Sequence, residues 1–220
     1  MKNLILIALS SVGLFSCQPA QQNDVQETET TTEVVETTET LKDHAKEGEV
    51  HLKNVTQLTF GGNNAEAYFS FDNKNLVFQA ENPAWEVPCD QIFVMPITGY
   101  EGEKAPMVST GLGRTTCAYF MPGDTTILYA STHLGGDACP EMIRPEGGGY
   151  TWPIFEDFDI FVADLQGNII KQLTTNVGYD AEATLSPDGK MIVFTSTRSG
   201  DLELWTMKVD GTDIKQVPLV

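Results

Sequence analysis

Basic side chains are scarce in this sequence. Its 220 residues hold 13 lysines and arginines against 31 aspartates and glutamates, a formal charge of −18. A nucleic-acid face needs clustered Lys and Arg to displace counterions. Neither the number nor the clustering is present, so no nucleic acid is expected as a partner. Histidine is rarer still, at His44, His51 and His133. A Ser-His-Asp set would have to use His133, and no G-x-S-x-G turn offers a nucleophile. His133 reads as a loop residue, and no catalytic residue is expected. The four cysteines show no C-x-x-C spacing and the histidines no H-x-x-x-H spacing. A thiolate metal site with His133 as a fourth ligand therefore has no spacing to support it. No cofactor motif stands out either. Gly111 and Gly113 in "STGLGRTTC" look faintly like a phosphate cradle, but no lysine follows at the required spacing and no helix follows.

What the chain does have begins with an export signal. "MKNLILIALSSVGLFSC" carries one lysine and then an apolar run, too short to span a bilayer as a mature helix. Leu14-Phe15-Ser16-Cys17 resembles a bacterial lipobox. That resemblance makes residues 1–16 a signal peptide and Cys17 the lipidated first residue of the mature chain. Acyl chains of this kind anchor firmly, at about 0.8 kcal/mol per buried CH₂. Gln18 is not the aspartate associated with inner-membrane retention, so the analogy favours the outer membrane. Residues 17–49 then form an acidic, Thr- and Glu-rich stretch with no aromatic side chain; from Gln18 to Glu49, nine acids oppose only Lys42 and Lys46. Such a segment cannot bury enough apolar surface to offset chain entropy, and like charges extend it. It reads as a tether, with a weak tendency to helix around residues 41–50.

The rest, residues 50–220, repeats. "AEATLSPDGKMIVFTST" from Ala181 lies over "AEAYFSFDNKNLVFQAE" from Ala65 and "TCAYFMPGDTTILYAST" from Thr116. The tight-turn columns are Phe71-Asp72-Asn73, Pro122-Gly123-Asp124 and Pro187-Asp188-Gly189. The apolar columns Leu76/Phe78, Ile127/Tyr129 and Ile192/Phe194 are spaced by two, as one face of a strand requires. Phe93, Phe161 and Trp205 share a further column. Leu58, Val108, Leu173 and Val217 share the last, at steps of 50, 65 and 44 residues. The shortest step is that of a four-stranded propeller blade, about 40–45 residues. The longer steps arise mainly between the second and third strands, where insertions usually fall.

These residues resemble the WD40-like repeats of TolB-type β-propellers, most closely over Asp180 to Val217. The resemblance implies an all-β propeller with about three four-stranded blades, near 65–110, 116–174 and 181–218. Val50 to Thr59 would be an orphan outer strand of the kind that closes a last blade. Closed propellers need about four to eight blades. Three are therefore expected to be a fragment of a roughly six-bladed ring, or to close by oligomerising.

Function is expected to be non-catalytic. TolB-like propellers of the envelope bind peptides and lipoproteins, which implies an envelope-anchored scaffold for a protein or glycan. The small α/β domain that precedes the propeller in TolB is missing, which weakens a literal TolB role. The alternative is the propeller portion of an exported prolyl-oligopeptidase-type hydrolase, or a propeller lyase. The lone His133 argues against the lyase. Binding candidates are Tyr150 and Trp152, in the insertion that begins at Glu141 and runs through Gly147-Gly148-Gly149. Rigid aromatic area of this kind is enriched at hot spots, although Trp152 could equally cover a blade edge. Cys89, Cys117 and Cys139 fall on one rim in the repeat register, so Cys89–Cys117 or Cys89–Cys139 are candidate disulfides, with one thiol left over. Glu156, Asp157 and Asp159 read as a solvated rim in preference to a calcium site.

Overall fold

The structure is a computed structural model that describes residues 43–218 apart from Arg144 and Tyr150. The signal peptide, Cys17, most of the tether and Tyr150 lie outside the described residues.

Among the described residues, eleven strands form three antiparallel sheets in chain order. Blade 1 holds β1 (Asn63–Phe69), β2 (Asn75–Asn82) and β3 (Val87–Pro96). Blade 2 holds β4 (Thr115–Phe120), β5 (Thr126–Ser131), β6 (Asp159–Asp164) and β7 (Ile169–Gln172). Blade 3 holds β8 (Asp180–Leu185), β9 (Met191–Ser196), β10 (Glu203–Lys208) and β11 (Lys215–Gln216). Each is a simple up-and-down meander. No α-helix occurs among the described residues.

The repeat columns are physical neighbours. Phe78 faces Phe93, Tyr129 faces Phe161, and Phe194 faces Trp205 across the second and third strands. The last column makes one equivalent hydrogen bond per blade. Val108 N–H donates to Ile92 O at 2.8 Å, Leu173 N–H to Ile160 O at 2.7 Å, and Val217 N–H to Leu204 O at 2.9 Å.

Blade 1 differs at its outer edge. Its fourth strand is a single bridge between Phe93 and Met107. Pro106 has no N–H to offer a ladder, though its carbonyl still accepts from Val94 N–H at 3.0 Å. The segment 50–59 forms no strand. Instead Leu58 packs with Tyr100 and Met107 onto the core of Leu76, Phe78, Trp85 and Phe93. Residues 43–50 contain no helix; the Asp43 carboxylate ties that stretch into a loop by accepting from Ala45, Asn54 and Val55 N–H.

Side-by-side packing of blades buries two further cores. Val77 and Ile92 of blade 1 meet Phe120, Ile127 and Tyr129 of blade 2. Leu128, Ile160 and Val162 of blade 2 meet Ile192, Phe194 and Met207 of blade 3. The departure from the turn consensus at residues 123–124 has a structural use. Asp124 reaches across to blade 1, where its carboxylate accepts from Phe71 N–H at 2.8 Å and Asp72 N–H at 2.9 Å. In blade 3 the aligned residue is Gly189, where a Cβ would collide with Pro122 of the blade 2 turn.

Candidate functional site

Each innermost strand carries a bulge at the same repeat position. Pairing with the second strand shifts between Ala65 and Tyr68, between Thr116 and Tyr119, and between Ala181 and Thr184. The residue that follows the first of each pair is left-handed: Glu66 at φ 52°, Cys117 at φ 47° and Glu182 at φ 54°. A non-glycine residue held there is strained, and bulges of this kind re-aim side chains beside functional sites.

Two of the three residues meet. Cys117 Sγ–H donates to Glu182 Oε2 at 3.0 Å, across the boundary between blades 2 and 3. Glu182 Oε1 accepts from Tyr179 Oη–H at 2.6 Å, and Tyr179 Oη accepts from Trp152 Nε1–H at 3.1 Å. Glu66 accepts from Tyr68 Oη–H at 2.5 Å, and the Tyr68 ring lies 4.0 Å from that of Tyr119 on the next blade. Glu66 and Glu182 remain exposed, while Cys117 is buried. The inner strands thus present solvent-facing carboxylates whose positions are fixed by tyrosine hydroxyls.

Burial pushes the Cys117 thiol far above its ordinary range, and the Glu182 charge adds to the effect. Burial and Glu182 likewise push Tyr179 up. Cys117 is therefore a neutral donor to Glu182 and holds no thiolate at neutral pH. Native protein should accordingly leave Cys117 unlabelled by iodoacetamide at pH 8, with labelling only at the rate of opening. Modification at the rate of a free surface thiol would contradict this placement.

The structure also places the other sequence-predicted residues that it describes. Cys89 and Cys139 form a disulfide with Cα atoms 5.9 Å apart, and Cys117 stays a free thiol. Cys139 lies in the long blade 2 insertion between β5 and β6, so the bridge ties that insertion to β3 of blade 1. Trp152 is half-buried against the blade 2–blade 3 core, with the Arg114 guanidinium 5.9 Å from its ring. Arg114 itself is buried and paired with Asp90, beside the disulfide. His133 Nδ1 meets Ser131 Oγ at 2.9 Å and its ring lies 4.5 Å from Phe161. The matching residue of blade 3, Arg198, meets Ser196 Oγ at 2.8 Å and stacks 5.1 Å from Trp205. The position is thus a repeated stacking element, and burial holds the His133 imidazole below its usual range. Among the described residues, no three His, Cys, Asp or Glu side chains gather as a metal-binding group.

Glu66 and Glu182 escaped the sequence reading. The signal was available: an acid set between two alanines at one column of otherwise strand-like repeats, in Ala65-Glu66-Ala67 and Ala181-Glu182-Ala183.

No family model matches the chain. An uncharacterized protein of Agrobacterium fabrum is 32% identical over 75 residues, which are 33% of this chain and 26% of that protein. The Tol-Pal system protein TolB of Bordetella pertussis is 38% identical over 47 residues, 21% of this chain and 11% of that protein. The matched stretches thus span about a quarter or less of these relatives. Among solved structures, TolB from Acinetobacter baumannii aligns with 71% of this chain and 32% of its own, at 21% identity and a TM-score of 0.49. Oligopeptidase B from Trypanosoma brucei aligns with 72% of this chain and 20% of its own, at 12% identity and a TM-score of 0.47. With its three antiparallel meanders stacked side by side in chain order, the repeat region of this protein has the architecture of consecutive β-propeller blades.

Proposed function

We propose that this chain is an envelope-anchored lipoprotein, lipidated at Cys17, whose TolB-like blades act as a non-catalytic scaffold binding a protein or glycan. The observation that carries the reading is the strained inner-strand bulge repeated in all three blades. It holds Glu66 and Glu182 exposed and preoriented, while the one buried thiol beside them is kept neutral. Strain maintained at three equivalent positions fits a surface that must present polar groups in fixed geometry. The Tol-Pal name of the Bordetella relative supports a place in the envelope. The lipobox resemblance and the acidic stretch after it support a lipid anchor with a tether, in the outer membrane. Trp152, linked to Glu182 through Tyr179, would contribute contact area there, and Tyr150 is a second aromatic candidate from the same insertion.

Two measurements test this. Growth with an alkyne-tagged palmitate should label the wild-type protein and leave Cys17→Ser unlabelled; equal labelling of both would remove the anchor. Capture from solubilised envelope should recover a defined partner with the wild type. Recovery should fall at least tenfold with Glu66→Gln/Glu182→Gln or with Tyr150→Ala/Trp152→Ala. A partner retained by both double variants would place the contact elsewhere.

A further inference from the structure

The linker into blade 3 presents an apolar residue to solvent in a fixed position. Val177 is 88% exposed. Its neighbour Gly178 sits at φ 119°, and a Cβ there would collide with Thr197 Oγ1. Asn176 Nδ2–H donates to Val177 O at 2.7 Å, which further fixes the tip. Across a groove of about 250 Å³ stands Leu134 of the blade 2 insertion, 61% exposed. Its turn is also fixed, by Gly135 N–H donating to Thr132 O at 2.9 Å. Glu156, Asp157 and Asp159 line the same groove. Asp159 is held by Thr174 and Gln172, whereas Glu156 and Asp157 form no ion pair among the described residues.

We propose that this groove docks an extended peptide segment in which lysine or arginine residues alternate with large aliphatic ones. Two solvated aliphatic side chains held outward by rigid turns are a site for apolar contact. Carboxylates lining the same groove select a cation as the neighbouring residue and repel an acidic one. The strongly acidic chain reinforces that choice at long range. The inference rests on the protein-binding reading above and adds to it a second contact surface, separate from Glu66 and Glu182, with its own ligand chemistry.

The test uses the intact chain and fluorescein-labelled octapeptides, read by fluorescence anisotropy. The probe has two lysine–leucine pairs flanked by glycines. One control replaces its lysines by glutamate, the other its leucines by serine. The lysine–leucine peptide should bind at least tenfold more tightly than either control. Leu134→Ser/Val177→Ser and the isosteric Glu156→Gln/Asp157→Asn should each weaken it at least tenfold, with circular dichroism and melting unchanged. Equal binding of the lysine and glutamate peptides would overturn the proposal. So would a loss confined to the carboxylate variant, which would mean diffuse attraction to an acidic surface. If the peptide fails to bind while a defined envelope partner is still captured, the groove is wrong and the scaffold reading stands. If both fail, both are wrong.

Discussion

Replacing Cys139 by serine is expected to destabilise the protein by about 4 kcal/mol, the chain-entropy value for a loop of this size. The Cys89–Cys139 bridge closes a separation of 50 residues. It also joins elements of two different blades. One is β3 of blade 1. The other is the insertion between β5 and β6, whose described residues contain no strand and which is held besides by Trp152, Phe155 and Phe158 and by Gly113 N–H donating to Asp137 O at 2.9 Å. A loss of this size lowers the melting temperature by on the order of 10 °C in a domain of about 180 residues. Reduction with a phosphine should give the same result in the wild type and no change in Cys139→Ser. A loss below about 1 kcal/mol would mean that the bridge is not formed, or that the loop is equally restrained without it.

Arg198→Met is expected to cost about 3–5 kcal/mol at neutral pH. Arg198 Nη2–H donates to Asp180 Oδ2 at 2.8 Å, and the Asp180 side chain is 0% exposed. The guanidinium also stacks on Phe194 and Trp205, 5.1 Å from each ring. Without it, a carboxylate stays buried between blades 2 and 3 with no cation. Burial already raises Asp180 above its ordinary value, against the pull of Ser196 and Arg198. Removal of the arginine raises it further. A carboxyl whose folded pKa exceeds the unfolded one stabilises the fold below the unfolded pKa, and loses that contribution as pH rises through the folded pKa. The variant should therefore be most impaired at pH 7 and approach the wild type as pH falls toward 4. Chemical denaturation across that range reads the effect directly. Arg198→Met/Asp180→Asn should recover much of the loss at pH 7. A penalty independent of pH, unrelieved in the double variant, would show that stacking alone is what Arg198 supplies.

The repeat was legible because propeller blades write their cross-strand pairs into columns. Phe78 and Phe93, Tyr129 and Phe161, Phe194 and Trp205 were aligned as columns, and they are direct partners. Turn chemistry at Pro187-Asp188-Gly189 was equally plain. Three features were not legible. The bulges at Glu66, Cys117 and Glu182 break the alternation by one residue, and a period-two reading passes over a single extra residue. The pairs Asp90–Arg114 and Asp180–Arg198 join positions 24 and 18 residues apart, and neither lies on an alternation pattern. Val50 to Thr59 has strand-like composition around Val55 and Leu58, yet in the structure the segment forms no strand and packs Leu58 onto an apolar blade face instead. The cysteine pairing lay open between two choices because geometry on a shared rim permits both, and only the bulge that turns Cys117 toward Glu182 separates them.

Consecutive blades stand face against face, and zero-length cross-linking tests this arrangement most directly. Lys171 in the outer strand of blade 2 donates from Nζ to Asp210 O at 2.7 Å, in the Gly turn of blade 3. The Lys171 charge also helps hold the Asp210 carboxyl below its ordinary value, after the larger effect of Thr212. Carbodiimide treatment of the native protein followed by peptide mass spectrometry should join Lys171 to Asp210. Lys171 joined only to acids of blade 1, or left unlinked while other lysines react, would contradict the stacked-blade arrangement and the site built on it.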